Sequence, residues 1–109
     1  MHELALAENL FELVAERTES ARVRRIRIEV GRWLAVAPEA LRFCFEVVSQ
    51  GSALEGASLE IVEVPMQGTC SSCSWEGMPE GAFPICPRCL SGLELRSGAE
   101  LRIREVEVI

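Results

Sequence analysis

At 109 residues, 49% of them hydrophobic and 26% charged, the chain has the material for one modest core. A formal net charge of −6 leaves no basic stripe for a nucleic-acid backbone, and no apolar run reaches the length that crosses a bilayer. The eleven cations are all Arg and the seventeen acids all Glu, a bias of composition and not a functional signal. The first residues lack a basic region followed by an apolar stretch, so a cytoplasmic protein is expected.

From Glu3 to Thr18, Leu6, Leu10, Leu13 and Val14 recur at helical spacing, with Leu4 and Phe11 beside them and Glu8, Glu12, Glu16 and Arg17 opposite. An amphipathic helix is predicted, opening within the first turn of the chain. Val23 to Gly31 alternates Ile26, Ile28 and Val30 with Arg25, Arg27 and Glu29, the pattern of a strand with one wet face. The arginine run Arg22, Arg24, Arg25, Arg27 and Arg32 is either a docking patch for an acidic partner or a solvated strand face, and the second is the simpler account. Pro38 suits the first turn of a second helix whose apolar residues are Leu41, Phe43, Cys44, Phe45, Val47 and Val48, and Gly51 stops it. Cys44 stands apart from the other cysteines and is expected to be a small buried hydrophobe. Ser58 to Pro65 and Ala99 to Ile109 complete a set of three strands, the last with a shift in its apolar phase near Arg104 and Glu105.

Between those last two strands lies the strongest chemical signal. Cys70-Ser-Ser-Cys73 and Cys86-Pro-Arg-Cys89 are two knuckle pairs at the spacing used for tetrahedral zinc. With no His in the loop the ligand set is four thiolates, which leaves no open position for water or substrate, so the metal is read as structural. Disulfides are disfavoured in a reducing compartment. A thioredoxin-type pair needs a helix start where this chain has Gly and Pro. Iron of the rubredoxin kind can use the same four sulfurs.

The expected fold is α+β: two helices packed on a three-stranded, antiparallel-type sheet, with an inserted zinc-ribbon-like four-cysteine loop. Residues 1–66 with 97–109 form one domain and 67–96 the insert, and Gly68 and Ser97-Gly98 are candidate hinges.

At the other end, Met1, His2 and Glu3 bring together a terminal amine, an imidazole and two amides able to lose protons. These nitrogens form small chelate rings in a plane, which favours Ni(II) or Cu(II). Amine and imidazole must deprotonate first, so affinity should climb through roughly pH 6.5 to 8. Glu3 can ligate through its backbone or orient the site from behind.

Met-His-Glu-Leu at the start, Gly31-Arg-Trp-Leu, Pro38-Glu-Ala-Leu, Phe43-Cys-Phe-Glu and the paired cysteines occur in the same order in the HypA/HybF family of hydrogenase nickel-incorporation proteins, which this chain resembles over its whole length. The resemblance implies a metallochaperone and not an enzyme. Nickel is then the cargo, held by Met1, His2 and Glu3, and zinc is structural, held by Cys70, Cys73, Cys86 and Cys89. It further implies delivery to a [NiFe]-hydrogenase large subunit, in some members to urease as well, with a nickel-handling GTPase as partner and no nucleic acid or membrane span. Monomer and dimer both remain open. Leu90-Ser91 departs from the family, where a small residue follows the last cysteine. On the zinc knob, Trp75, Met78 and Phe83 are either contacts of a docking surface or residues packed round the zinc loop. Two other readings compete: a rubredoxin-like iron electron carrier, and a zinc-ribbon adaptor with no nickel function whose partner docks on the knob alone.

Overall fold

A computed structural model describes residues 2–109. Helix α1 spans Glu3–Thr18, strand β1 Val23–Gly31, a 3₁₀ turn Arg32–Leu34, helix α2 Pro38–Ser49 and strand β2 Ser58–Val64. Short strands β3 (Gln67–Thr69), β4 (Glu76–Gly77) and β5 (Glu94–Ser97) follow, and β6 (Leu101–Val108) closes the chain. Two three-stranded sheets result, ordered β2-β1-β6 and β4-β3-β5. The chain divides into two compact units, one of residues 1–28, 36–61 and 103–109, the other of 29–35 and 62–102.

In the first unit the expected α+β layer is present, and its helices lie against each other. The faces they bury differ from the apolar pattern. Helix α1 buries Glu3, Ala7, Leu10 and Val14, while Leu4 and Leu13 are exposed. Positions 3, 7, 10 and 14 form one helical stripe, and its first member is a carboxylate because that carboxylate has a partner on the next helix. Helix α2 buries Leu41, Phe45 and Ser49, leaving Phe43 67% exposed. At 100° per residue Phe43 and Val47 lie on the far side of the helix from Leu41 and Phe45, so they are not core. Val23, Ile26 and Ile28 of β1, Leu54 of the loop after α2 and Leu59 of β2 complete the buried apolar set.

The other face of β1 is a charge ladder. Arg25 pairs with Glu60 and with Glu105 at 3.1 Å each, Arg27 with Glu60 at 3.2 Å, and Arg24 with Glu107 at 3.4 Å. Three arginines of the run, Arg24, Arg25 and Arg27, are therefore paired across the sheet, which favours the solvated face over a docking patch.

In the second unit the cysteine insert carries its own sheet. Strands β3 and β4 pair antiparallel, Gly68 with Gly77 and Thr69 with Glu76, so the first knuckle sits at a hairpin tip. Strand β5 pairs antiparallel on the other side of β3, and a single bridge between Ile85 and Gly92 closes the second knuckle. Gly98 is buried with φ +88°, and a Cβ there would come within 2.6 Å of the Met66 Cα. One on Gly31 would fall 2.2 Å from the Gly98 carbonyl carbon. Close backbone approach, not flexibility, is what these glycines provide.

Candidate metal centres

The two knuckles are built alike. Cys70 accepts at its carbonyl from Ser74 N–H at 2.9 Å and donates its own N–H to Trp75 O at 2.8 Å. Cys86 repeats this with Leu90 at 2.9 Å and Ser91 at 2.8 Å. Each turn needs a residue in the left-handed region just after its second cysteine, and Ser74 (φ 66°) and Leu90 (φ 64°) occupy those positions. Turned this way, the sulfurs converge: Cys70 and Cys89 Sγ lie 3.5 Å apart, Cys73 and Cys86 Sγ 3.6 Å, and all four fall within 4.8 Å of one another. A tetrahedron with zinc–sulfur arms has edges of about 3.8 Å. The donor set therefore fits a tetrahedral thiophilic ion. None of the cysteines among the described residues is in a disulfide.

The surrounding dipoles favour thiolates. Arg88 N–H donates to Cys86 Sγ at 3.4 Å. Burial opposes ionisation of Cys86, yet the N–H groups of Cys89 and Arg88 hold its thiol below the ordinary value. Hydrogen bonds from the Ser91 hydroxyl and N–H bring Cys89 down to about 6. Cys73 gains from Trp75 N–H, but burial and three neighbouring sulfurs push it up to about 12. Four crowded sulfurs cannot all be anionic without a cation, which a divalent metal supplies. The Ser91 contribution was not legible from spacing; its signal is a hydroxyl two positions after the last cysteine. Both Cys-x-x-Cys pairs lie in turns, not at a helix start, so the redox-pair geometry is absent.

The amino-terminal residues are placed differently. Met1 lies outside the described residues. His2 is the N-cap of α1, exposed, with no side-chain capping bond, and its carbonyl accepts from Leu6 N–H at 3.0 Å. Glu3 is only 6% exposed, and its Oε2 accepts from Ala37 N–H at 3.0 Å. Ala37 is the N-cap of α2 and has no side-chain oxygen to satisfy that turn. The carboxylate of Glu3 does for α2 what a capping-box glutamate does within one helix. That bond from Ala37, joined by the Glu3 N–H itself, lowers the carboxyl pKa to about 2. The partnership was hidden in the sequence, although a Pro38 helix preceded by Ala, not Ser, Thr, Asp or Asn, is a signal that its cap comes from elsewhere.

The candidate docking residues of the insert are mostly outside any core. Met78 is 60% and Phe83 61% exposed, and Phe83 meets Trp33 edge-on with ring centres 5.8 Å apart.

A family model described as hydrogenase/urease nickel incorporation, metallochaperone, HypA, matches residues 1–108. The chain belongs to the HypA family. Proteins named hydrogenase maturation factor HypA are 44% identical over 108 residues in Trichormus variabilis and 41% in Nostoc punctiforme, covering 99% of this chain and 96% of each relative. The relative in Dechloromonas aromatica is 40% identical and covered over 99% of its length. The fold matches the solution structure of the Ni metallochaperone HypA from Helicobacter pylori, with a TM-score of 0.71, 23% identity and coverage of 100% of this chain and 98% of that one. HypA membership makes the protein a nickel metallochaperone of hydrogenase maturation and not an enzyme, with nickel as cargo and zinc the structural metal of the four cysteines. Among the described residues no helix is long and apolar enough to cross a membrane.

Proposed function

We propose that the chain binds Ni(II) at Met1, His2 and Glu3 and delivers it to a [NiFe]-hydrogenase large subunit, and in the same manner to urease where that enzyme is present. A nickel-handling GTPase is its partner. The observation that carries this reading is the asymmetry of the first turn of α1: the His2 imidazole is exposed and has no hydrogen-bond partner among the described residues, while the adjoining Glu3 carboxylate is anchored by Ala37. The first N–H groups of a helix have no intrahelical acceptor; that of Glu3 turns to its own carboxylate, and on losing its proton it joins the His2 amide as a planar nitrogen donor. Glu3 then contributes its backbone nitrogen, and its fixed carboxylate holds that nitrogen in position from behind.

Transfer follows by ligand exchange. The His2 imidazole is exposed, so a partner offering more donors can reach it and take the ion one ligand at a time. Cu(II) would bind such nitrogens more tightly still, which leaves selectivity to metal supply and docking. We assign nickel handling to residues 1–66 with 97–109, and the zinc site, with ligands Cys70, Cys73, Cys86 and Cys89, to 67–96.

Nickel titration of untagged, zinc-loaded protein beside His2→Ala tests the reading. Uptake by the parent that rises as pH climbs through roughly 6.5 to 8, and its loss in His2→Ala with zinc retained, is the expected result. Equal uptake by both, or by protein whose terminal amine is blocked, would refute the terminal site and leave the adaptor reading. Iron in place of zinc, with a visible thiolate spectrum, would favour the electron carrier.

A further inference from the structure

Strand β6 is an outer strand of its sheet, ordered β2-β1-β6, so one row of its backbone groups has no neighbouring strand among the described residues. The two ends of the strand show which residues form that row. At one end the Glu100 carbonyl accepts from Gly31 N–H at 2.8 Å, and at the other Ile109 N–H donates to the Arg22 carbonyl, just before β1, at 3.0 Å. Residues 100 and 109 thus both turn toward the β1 side. The N–H and C=O of one residue point to the same side of a strand and successive residues to opposite sides, yet an odd number of steps separates these two. The alternation therefore slips once between them, as the shifted apolar phase near Arg104 and Glu105 predicts. Counted from each end, Leu101 and Ile103 turn their backbone outward before the slip, and Val106 and Val108 after it. The charges share this centre. Arg102 and Arg104 precede it and Glu105 and Glu107 follow it, so that the strand, read backwards with its signs reversed, has the same pattern.

We propose that two copies of this chain pair antiparallel along β6, with a two-fold axis between residues 104 and 105. Ile103 then exchanges both backbone hydrogen bonds with Val106 of the second copy, and Leu101 with Val108, so each outward group before the slip meets one after it. In the same register Arg102 stands across from Glu107 of the second copy and Arg104 across from Glu105, and each pair occurs twice by symmetry. The charge ladder already alternates in sign from Glu60 through Arg25 to Glu105, and the second copy's arginines extend that alternation by one strand. A two-fold contact requires such self-complementarity, because both copies present the same surface. The opposite outer strand, β2, lacks it. Its charged residues are Glu60 and Glu63 with no cation, and Arg42 Nε already donates to the Leu59 carbonyl at 3.1 Å. Assembly therefore closes at two copies and does not continue as a fibre. The 8 residues of β6 are few beside the roughly 20–30 a side of a standard interface, so the dimer is weak and forms at high concentration. No residue of either metal centre takes part.

Sedimentation velocity of full-length, zinc-loaded protein from about 1 µM to about 1 mM brackets a contact of this strength. The parent is expected to pass from monomer to dimer and no further. Arg102→Glu combined with Arg104→Glu sets acids against acids and should weaken association at least about tenfold. Glu105→Arg combined with Glu107→Arg is the mirror case, and an equimolar mixture of the two variants should dimerise again, because every charge then meets its opposite. The mirror variant also breaks pairs with Arg24 and Arg25, so amide hydrogen exchange of the parent decides the question even if that variant does not fold. Exchange at Ile103 and Val106 should slow as concentration rises, while exchange at Glu63 on β2 stays constant. A monomer at every concentration, undiminished association of the Arg102→Glu, Arg104→Glu variant, or slowing on β2 in place of β6 would each overturn the proposal. Two folded variants that stay monomeric when mixed would overturn it as well.

Discussion

Glu3 does two jobs with different parts of one residue: its backbone belongs to the proposed amino-terminal donor set, and its carboxylate caps another helix. The second job has a pH signature. Its carboxyl pKa is lowered to about 2 in the folded chain from an ordinary 4.5. A depressed folded pKa contributes stability that is complete above the unfolded value and is lost as pH falls from 4.5 toward 2. Glu3→Gln keeps an oxygen for the Ala37 N–H but cannot titrate. The stability difference between parent and variant, measured by denaturant unfolding at a series of pH values, should favour the parent at neutral pH and shrink toward zero across that window. The cysteines are common to both proteins and cancel in the difference; a gap independent of pH would show that the carboxylate is not the acceptor.

Leu90 presents the converse, a residue whose side chain does little and whose backbone is strained. It is 77% exposed and sits at φ 64°, where an L side chain crowds its own carbonyl at a cost of about 1–2 kcal/mol. Replacing it with Gly relieves that cost at the expense of a looser unfolded chain, for a net gain of about 0.5–1 kcal/mol. Leu90→Gly should therefore hold zinc longer against a competing chelator, and Leu90→Ala, which keeps the strain, should not. The departure from a small residue at this position is a departure in turn chemistry, and the four sulfurs still converge within 4.8 Å of one another.

Among the elements, α2 separates apolar character from burial. Leu41 is fully buried and Phe43 is 67% exposed, although both are large and apolar and stand two residues apart. Leu41→Ala should cost about 2–5 kcal/mol by leaving a cavity, whereas Phe43→Ala should stay within about 0.5 kcal/mol. Chemical denaturation of the two variants checks the helix phase directly, and comparable losses would mean that the helix is rotated from the orientation described. The phase itself was only half legible. Strand β1 showed its inner face because alternation has period two and β-branched residues mark it, and both helices were bounded correctly by Thr18 and by Pro38 and Gly51. Counting leucines could not phase α1, because the stripe it buries begins with Glu3 and continues through Ala7, and neither residue is recognisable as core until the Ala37 N–H is in place.

Across the whole molecule, what could be read in advance was chemistry at fixed spacing. Two Cys-x-x-Cys pairs can meet at one ion with little help from the intervening residues, so the four-sulfur cluster was legible. The strands around it were not: β3 and β4 have three and two residues, too few to show a period, and their glycines resemble loop residues until Gly68 and Gly77 are seen paired. The same contrast decides how the chain should respond to metal removal. The core of the first unit, including Ala7, Leu10, Val14, Ile26, Ile28, Leu41 and Phe45, contains none of the four cysteines. In the second unit Cys70 and Cys86 are among its most buried side chains, and strands of two to four residues cannot supply a substitute core. Extraction of zinc by a strong chelator, or Cys70→Ala, should therefore abolish hydrogen-exchange protection across both knuckles and β4 while the helical circular dichroism and the protection of β1 residues Ile26 and Ile28 persist. Simultaneous loss of both signals would mean that the metal stabilises the first unit as well, and persistence of both would place the holding force of the knuckles in their backbone hydrogen bonds.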